Sequence, residues 1–264
     1  PEHDREPGVS GGYMLKIGRL DPGDSGFYAA GQALCYVYPK EVDLERPERD
    51  AQEQYIRDFL NEFGTALNGL DFADSNLGYP QYLDADAAID HHLLNVLTKN
   101  PDAFRLSTYM YKPRGGKLTF GPIWDFDRTM GSTDGRDANP LGWEGGTDFF
   151  NYPWWGRMFQ DRNFFQKYID RWQELRRDQL SVENIHSIID SMADEIREAQ
   201  VRDLQRWNQR PRWQYGGTFQ GEVEHLKDWL ATRAAWMDSQ FVAAPLFSSD
   251  GGHIWLPLGP GLPA

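Results

Sequence analysis

The sequence has very little cysteine and no long apolar run. Its single cysteine, Cys35, excludes a disulfide within the chain of 264 residues. No Cys/His cluster has the spacing of a zinc site. No uninterrupted apolar stretch reaches the length that a membrane-spanning helix needs, so no membrane span is predicted.

Positive charge is also scarce, and the net charge of the chain is −13. Nucleic-acid-binding proteins usually present a basic face to the phosphates, so nucleic acid is not a predicted partner. An acidic protein can still bind a nucleotide when a divalent metal bridges its carboxylates to the phosphates. The chain opens on Pro1 rather than Met, which predicts a fragment of a longer protein and leaves its compartment open.

The hydrophobic pattern predicts a helix-dominated α+β fold. Short apolar runs at 12–17 and 33–38 predict two strands, and runs at 107–111 and 117–123 predict a β-hairpin. Apolar residues at three- and four-residue steps predict helices from 49 to 67 and from 85 to 98. Three more helices are predicted after residue 160, the second with Ser181 as its N-cap.

Two acidic segments stand out between these elements. Asp102 follows Asn100 and Pro101 in the loop where the second helix ends, and the hairpin ends on Trp-Asp-Phe-Asp at 124–127. A helix, an Asp-bearing loop, a hairpin and then an Asp at a strand end is the order found in protein kinases. There the first Asp accepts the proton of the substrate hydroxyl and the second holds magnesium.

Each acid also has a simpler interpretation. Asp102 follows a proline and could be only a turn or capping residue, and Asp125 and Asp127 could be a solvated strand end. An EF-hand is excluded, because Thr129 and Met130 stand where a third ligand and a glycine are required.

Other titratable residues near these segments receive structural interpretations. Asp134 and Asp137 are expected to solvate the loop rather than to bind a metal. His91 and His92 are adjacent on a helix and point about 100° apart, which favours a helix-face role over a metal pair.

The sequence resembles the CotH kinase family, whose members have an atypical protein-kinase fold. The residues that carry the resemblance are Lys117 to Asp127 with the following Gly131, Asn100 and Asp102 upstream, and the aromatic strand Tyr109 to Tyr111. Residues 11–15 are similar to the strand that leads into the hinge of the family. The similarity covers roughly residues 11–241.

The resemblance implies roles for four residues. Asp102 corresponds to the catalytic-loop Asp, with Asn100 beside it at the nucleotide. Asp125 corresponds to the metal-binding Asp, also facing the nucleotide, and Asp127 is the second metal ligand. The implied cofactors are ATP and Mg²⁺ or Mn²⁺, and the implied partner is a protein substrate.

The chain departs from the family in two places. The family commonly has Asn at the start of the strand after the catalytic loop, where this chain reads Ser107-Thr108-Tyr109, and this departure weakens the case for a second metal ion. The strand lysine that grips the ATP phosphates is expected upstream of Pro1, and the sequence pattern does not place Lys16 there. The isolated chain is therefore expected to show little kinase activity by itself.

The expected organisation is a hinge and remnant of the upstream lobe at 1–40, an atypical kinase-like helical C-terminal lobe at 41–243, and a linker at 244–264. The linker resembles the start of a β-sandwich module, and the family context favours a bacterial surface or secreted location. Phosphoryl transfer to protein hydroxyls is the leading functional hypothesis. The alternatives are a non-catalytic scaffold with a kinase-like fold and an enzyme that transfers another part of the nucleotide.

Overall fold

The computed structural model describes residues 5–44, 46–131, 135–143, 148–207 and 215–241. The expected linker after residue 243 and the position of Asp134 lie outside these residues. The chain divides into two compact units. The first comprises Pro1–Asn95, Asp102–Asp125 and Gly146–Lys167, and the second comprises Val96–Pro101, Phe126–Gly145 and Tyr168–Ala264.

The first unit contains one antiparallel sheet of five strands in the order β2-β3-β1-β4-β5. The strands are β1 Tyr13–Ile17, β2 Gly26–Ala29, β3 Gln32–Tyr38, β4 Thr108–Lys112 and β5 Thr119–Phe120. The predicted N-terminal β element and the predicted hairpin thus belong to the same sheet, because β1 pairs with β4 along its whole length. Strand β2 was not predicted, since its four residues are too few for a clear alternating pattern.

Helix α2 Asp50–Asn68 packs on the buried face of this sheet, as its apolar periodicity predicts. Ile56, Leu60 and Phe63 are fully buried. The Tyr13 hydroxyl of β1 donates to the Gln52 carbonyl at 3.1 Å, which ties the strand to the first turn of the helix. Gly64 permits close contact further along, because a Cβ there would lie 2.7 Å from Ala30 Cα.

Helix α3 Ala85–Leu97 confirms the second predicted helix, and it contributes residues to both units. Asp84 caps its start, accepting hydrogen bonds at 3.1 Å from the backbone N–H groups of Asp86 and Ala87. The Asp84 N–H donates to the Leu118 carbonyl at 2.9 Å, so the hairpin is joined to the beginning of the helix. Two short helices, α1 Glu41–Leu44 and α4 Trp155–Met158, complete the helical part of the first unit.

The remaining helices are α5 Arg162–Arg177, α6 Val182–Trp207 and α7 Phe219–Gln240, and α5 contributes residues to both units. The prediction of Ser181 as N-cap of α6 is confirmed, since its hydroxyl accepts from the Asn184 N–H at 3.2 Å. Helices α6 and α7 pack against each other through one face of each. Ile185 and Leu230 are buried, whereas Ile188 on α6 is exposed.

The chain as described is therefore a mixed helix-and-sheet protein with predominantly helical secondary structure, in agreement with the predicted α+β class. Among the described residues, every helix is either too short or too polar to cross a membrane.

Candidate functional site

Asp102 lies in a tight turn between α3 and β4 of the first unit. Arg105 forms an ion pair with the Asp102 carboxylate, whose side chain is 20% exposed. Phe104 follows with φ of +66°, a left-handed conformation that costs energy for a large residue. The Thr108 hydroxyl oxygen accepts from the Phe104 N–H at 3.0 Å and closes the turn.

The ring of Phe104 holds this turn against an aromatic cluster. It stacks on His92 with a centroid distance of 4.9 Å and an interplanar angle of 8°, and it contacts Trp155 at 4.8 Å. His92 Nε2 donates to the Phe149 carbonyl at 2.9 Å, which fixes the orientation of the imidazole. The buried cluster thus compensates for the strained backbone beside Asp102.

His91 and His92 are both buried, so the helix faces that carry them belong to the core. Burial lowers the pKa of His91 to about 4 and that of His92 to about 3, because an imidazolium would lose its hydration there. Among the described residues, neither ring nitrogen of His91 has a hydrogen-bond partner. Its ring contacts Phe104 and Phe120 instead.

Asp125 is presented on a non-strand segment that follows β5. The sequence expectation that a hairpin strand runs directly into Trp-Asp-Phe-Asp is wrong, because β5 ends at Phe120 and Asp125 has φ of +66°. The Asp125 side chain is exposed, and its Oδ2 accepts from the Ser107 hydroxyl at 2.9 Å. Ser107 therefore connects Asp125 to the segment that carries Asp102, within the first unit.

This hydroxyl belongs to the segment Ser107-Thr108-Tyr109, in which the resemblance to the family led us to expect an amide side chain. Ser107 also has a left-handed backbone, with φ of +51°, which turns its side chain toward Asp125. A hydroxyl orients one carboxylate oxygen but is a poorer metal ligand than an amide carbonyl. Sequence reasoning noted the departure at Ser107 without predicting this contact, since the contact depends on two unusual backbone conformations.

Trp124 lies beside Asp125 and is 58% exposed. Its ring meets the ring of Tyr109 in β4 edge to face at 5.9 Å, so Trp124 is held at the surface of the first unit. Trp124 differs in this respect from Trp154, Trp155, Trp172 and Trp229, which are buried.

A small cavity of about 150 Å³ lies on the same sheet face as Tyr109. Its wall includes Lys16, Asp24 and Lys40. Lys16 Nζ is 2.9 Å from Asp24 Oδ2, and this ion pair raises the pKa of Lys16 and lowers that of Asp24. The positive charge of Lys16 is thus balanced by Asp24, which lies in the loop after β1.

Asn100 and Asp127 belong to the second unit. Asn100 is buried, and Asp127 is exposed. The segment after Asp127 is ordered locally by Thr129, whose hydroxyl donates to the Phe126 carbonyl at 2.6 Å, and by the Met130 N–H, which donates to the Thr98 carbonyl at 3.0 Å.

Asp137 differs from the sequence expectation. It is fully buried rather than solvated, and its Oδ2 accepts from the Gly131 N–H at 2.7 Å. The prediction that Asp137 solvates the loop is therefore wrong. Its carboxylate braces a turn in which Gly131 has φ of +77°.

The donor atoms suit a magnesium ion, which prefers carboxylate oxygens and usually keeps several waters. Asp125 offers an exposed carboxylate with a second oxygen beside the one that accepts from Ser107. No cluster of three or more acidic, histidine or cysteine side chains is present in the described part of the chain. An ion held here would complete its coordination with water or nucleotide oxygens.

The described residues place an acidic turn after a helix and a second acid after a β-hairpin, which is the order of elements expected from the sequence. The family model for CotH kinase proteins matches residues 14–237. The chain belongs to the CotH kinase protein family. No curated protein matches the chain with significance.

Proposed function

We propose that this protein transfers a phosphoryl group from a metal–nucleotide complex to a protein hydroxyl. The observation that supports the proposal best is the hydrogen bond from Ser107 to Asp125, which joins the segment that follows Asp102 to the second acid. Family membership supports a kinase-like function in general. The separate roles of Asp102 and Asp125 are our inference.

In this proposal Asp102 accepts the proton of the attacking hydroxyl. The Arg105 guanidinium beside it keeps the carboxylate oriented, and the partial exposure of Asp102 leaves it accessible to a substrate. Proton acceptance by a positioned carboxylate contributes typically about 10²–10⁴-fold to a rate. The aromatic cluster that packs against Phe104 restricts the motion of this turn, which favours a fixed geometry for the reaction.

Asp125 would hold the divalent metal, with Ser107 orienting the carboxylate. The bound metal neutralises charge on the phosphates and aligns them for displacement. Asp127 as a second metal ligand and Asn100 as a nucleotide contact are carried over from the family resemblance and remain predictions.

Binding of manganese and nucleotide tests the first part of this proposal. Calorimetry with Mn²⁺ and a non-hydrolysable ATP analogue should give measurable heats for the wild-type chain and none for Asp125→Ala. Ser107→Ala should weaken binding about three- to tenfold, which corresponds to the net contribution of one ordinary hydrogen bond. Asp58→Ala is the matched control, because Asp58 is an exposed carboxylate on α2. Equal heats for wild type and Asp125→Ala would refute the metal assignment.

Transfer is tested with ATP labelled at the γ- or α-phosphate, using both this chain and the longest natural form of the protein. The proposal expects γ-label on a protein substrate, lost in Asp102→Ala and in Asp125→Ala. Label from the α-phosphate would identify transfer of the nucleotidyl group instead. Binding of nucleotide without any transfer would favour the scaffold hypothesis.

A further inference from the structure

The second unit contains a buried arginine whose charge has no carboxylate partner among the described residues. Arg233 lies in the middle of α7 and is completely inaccessible to solvent. Burial lowers its pKa to about 10, so the guanidinium still carries its charge at neutral pH. A buried charge is costly unless its donors are satisfied, so the partners of Arg233 indicate what it does.

Among the described residues, the hydrogen bonds that Arg233 donates go to backbone carbonyls. Nε and one terminal nitrogen donate to the Val96 carbonyl at 3.2 and 2.8 Å, and the other terminal nitrogen donates to Pro140 and Gly142, both at 2.8 Å. Val96 is one residue from the end of α3, where helix carbonyls lack intrahelical partners and carry partial negative charge. One side chain thus binds the end of a helix and two points of a loop.

The loop in question begins within the Trp-Asp-Phe-Asp sequence, at Phe126, and we call its described residues, 126–131 and 135–143, the post-signature loop. Two further residues of α7 also contact this loop. Trp229 Nε1 donates to the Ala138 carbonyl at 3.1 Å, and the Trp236 ring packs on Trp143 at 4.6 Å. Trp229, Arg233 and Trp236 form one face of α7, which we call the α7 clamp.

The α7 clamp contacts the loop at successive positions. Its three members meet Ala138, then Pro140 and Gly142, and then Trp143, in the same order along both segments. Lys99 adds a fourth contact, donating to the Asn139 carbonyl at 2.7 Å. Apart from the ring contact at Trp143, these interactions are made to backbone carbonyls, so they act on the path of the loop rather than on its side chains.

We propose that Arg233 is a positioning residue that keeps the post-signature loop in one conformation by holding its backbone against α7. Lysine cannot replace it fully, because an ammonium group is a point donor, whereas the planar guanidinium reaches three carbonyls at fixed angles. Asp127 is the second residue of this loop, so the loop conformation also sets the direction of that carboxylate. The effect on Asp127 rests on the proposed function, whereas the effect on the loop conformation does not.

Hydrogen exchange measured by mass spectrometry tests the proposal with Arg233→Met and Arg233→Lys. Met retains much of the volume and removes the donors, whereas Lys retains the charge with fewer directed donors. Arg202→Met on the exposed side of α6 is the matched control. We expect exchange in residues 135–143 to accelerate at least tenfold in Arg233→Met and less in Arg233→Lys. Peptides from 185–200 of α6 should keep their wild-type rates.

Exchange that accelerates equally in the loop and in α6 would show that Arg233 only stabilises the unit, and it would overturn the proposal. Unchanged loop exchange in a folded Arg233→Met protein would also overturn it. If Arg233→Met does not fold, the same comparison is made with Arg233→Lys, which should still show a selective effect on the loop.

Affinity for Mn²⁺ with the ATP analogue provides the second readout. It should fall in Arg233→Met, recover partly in Arg233→Lys, and stay unchanged in Arg202→Met. Wild-type affinity in Arg233→Met, with a loosened loop, would refute the link to Asp127. Absence of binding in the wild-type protein would refute the proposed function, whereas the exchange experiment would still decide the role of Arg233.

Discussion

The paired buried histidines of α3 predict that this protein loses stability steeply as the pH falls below neutral. In the folded state, burial holds the pKa of His91 at about 4 and that of His92 at about 3. In the unfolded chain both return to the ordinary value of about 6.5. The unfolded chain therefore takes up protons at a higher pH than the folded chain does.

The size of the effect follows from proton linkage. The folded-state pKa values of both histidines are depressed, so the unfolded chain binds more protons than the folded chain below about pH 6.5. The stability that the neutral histidines provide is therefore fully present above about pH 6.5 and is lost as the pH falls toward 4. At pH 5 each unfolded histidine gains about 2 kcal/mol from protonation while the folded one gains almost nothing. Together His91 and His92 should lower the free energy of unfolding by up to about 4 kcal/mol between pH 7 and pH 5.

Urea denaturation at pH 7 and pH 5 measures this loss, and His91→Leu isolates one contribution from that of the titrating carboxylates. His91 is the better position to change, because His92 also donates to Phe149. The variant should lose about 2 kcal/mol less than wild type over this interval. Leu93→Ala, a destabilising change at a buried site in the same helix, is the control and should keep the wild-type pH dependence. Equal losses in wild type and His91→Leu would refute the reasoning.

Three further predictions concern the second unit, and urea denaturation checks each of them. Met237→Ala should cost about 2–5 kcal/mol because Met237 is fully buried, whereas Ile188→Ala should change stability by less than about 0.5 kcal/mol; similar costs at both sites would contradict the assigned burial. Ser181→Ala should cost about 0.5–2 kcal/mol through loss of the N-cap of α6, and Ser181→Asp should retain most of the stability. Gly131→Ala should cost about 1–3 kcal/mol, since its φ is +77° and a Cβ would lie 2.9 Å from the Trp229 ring; a neutral result would show that the loop can relax there.

The enzyme and scaffold hypotheses differ in what they require of the first unit. A scaffold needs only the fold, whereas an enzyme needs Asp102 and Asp125 to be both accessible and oriented. The contacts from Arg105 and Ser107 orient the two carboxylates and leave them at least partly exposed, which favours the enzyme. The binding and transfer assays decide between the two.

The amino-acid sequence alone was sufficient to predict the five long helices and to select the acidic candidates. Helix α2 shows why, because its apolar residues recur with the helical period and their burial needs only one face of a neighbour. The cap at Ser181 is likewise a local interaction within a few residues. The Trp-Asp-Phe-Asp sequence identified the family, and the family model confirms that identification.

Tertiary structure decided the features that depend on residues far apart in the chain. The pairing of β1 with β4 joins residues almost a hundred positions apart, and no periodicity in either strand specifies that partner. The direction of Asp125 depends on left-handed backbone conformations at Asp125 and Ser107, which neither residue type requires. Arg233 in the sequence is indistinguishable from an exposed helix arginine. Only the packing of α7 on the loop removes its charge from water and makes the backbone carbonyls its partners, because burial is a property of the assembled unit and not of the residue.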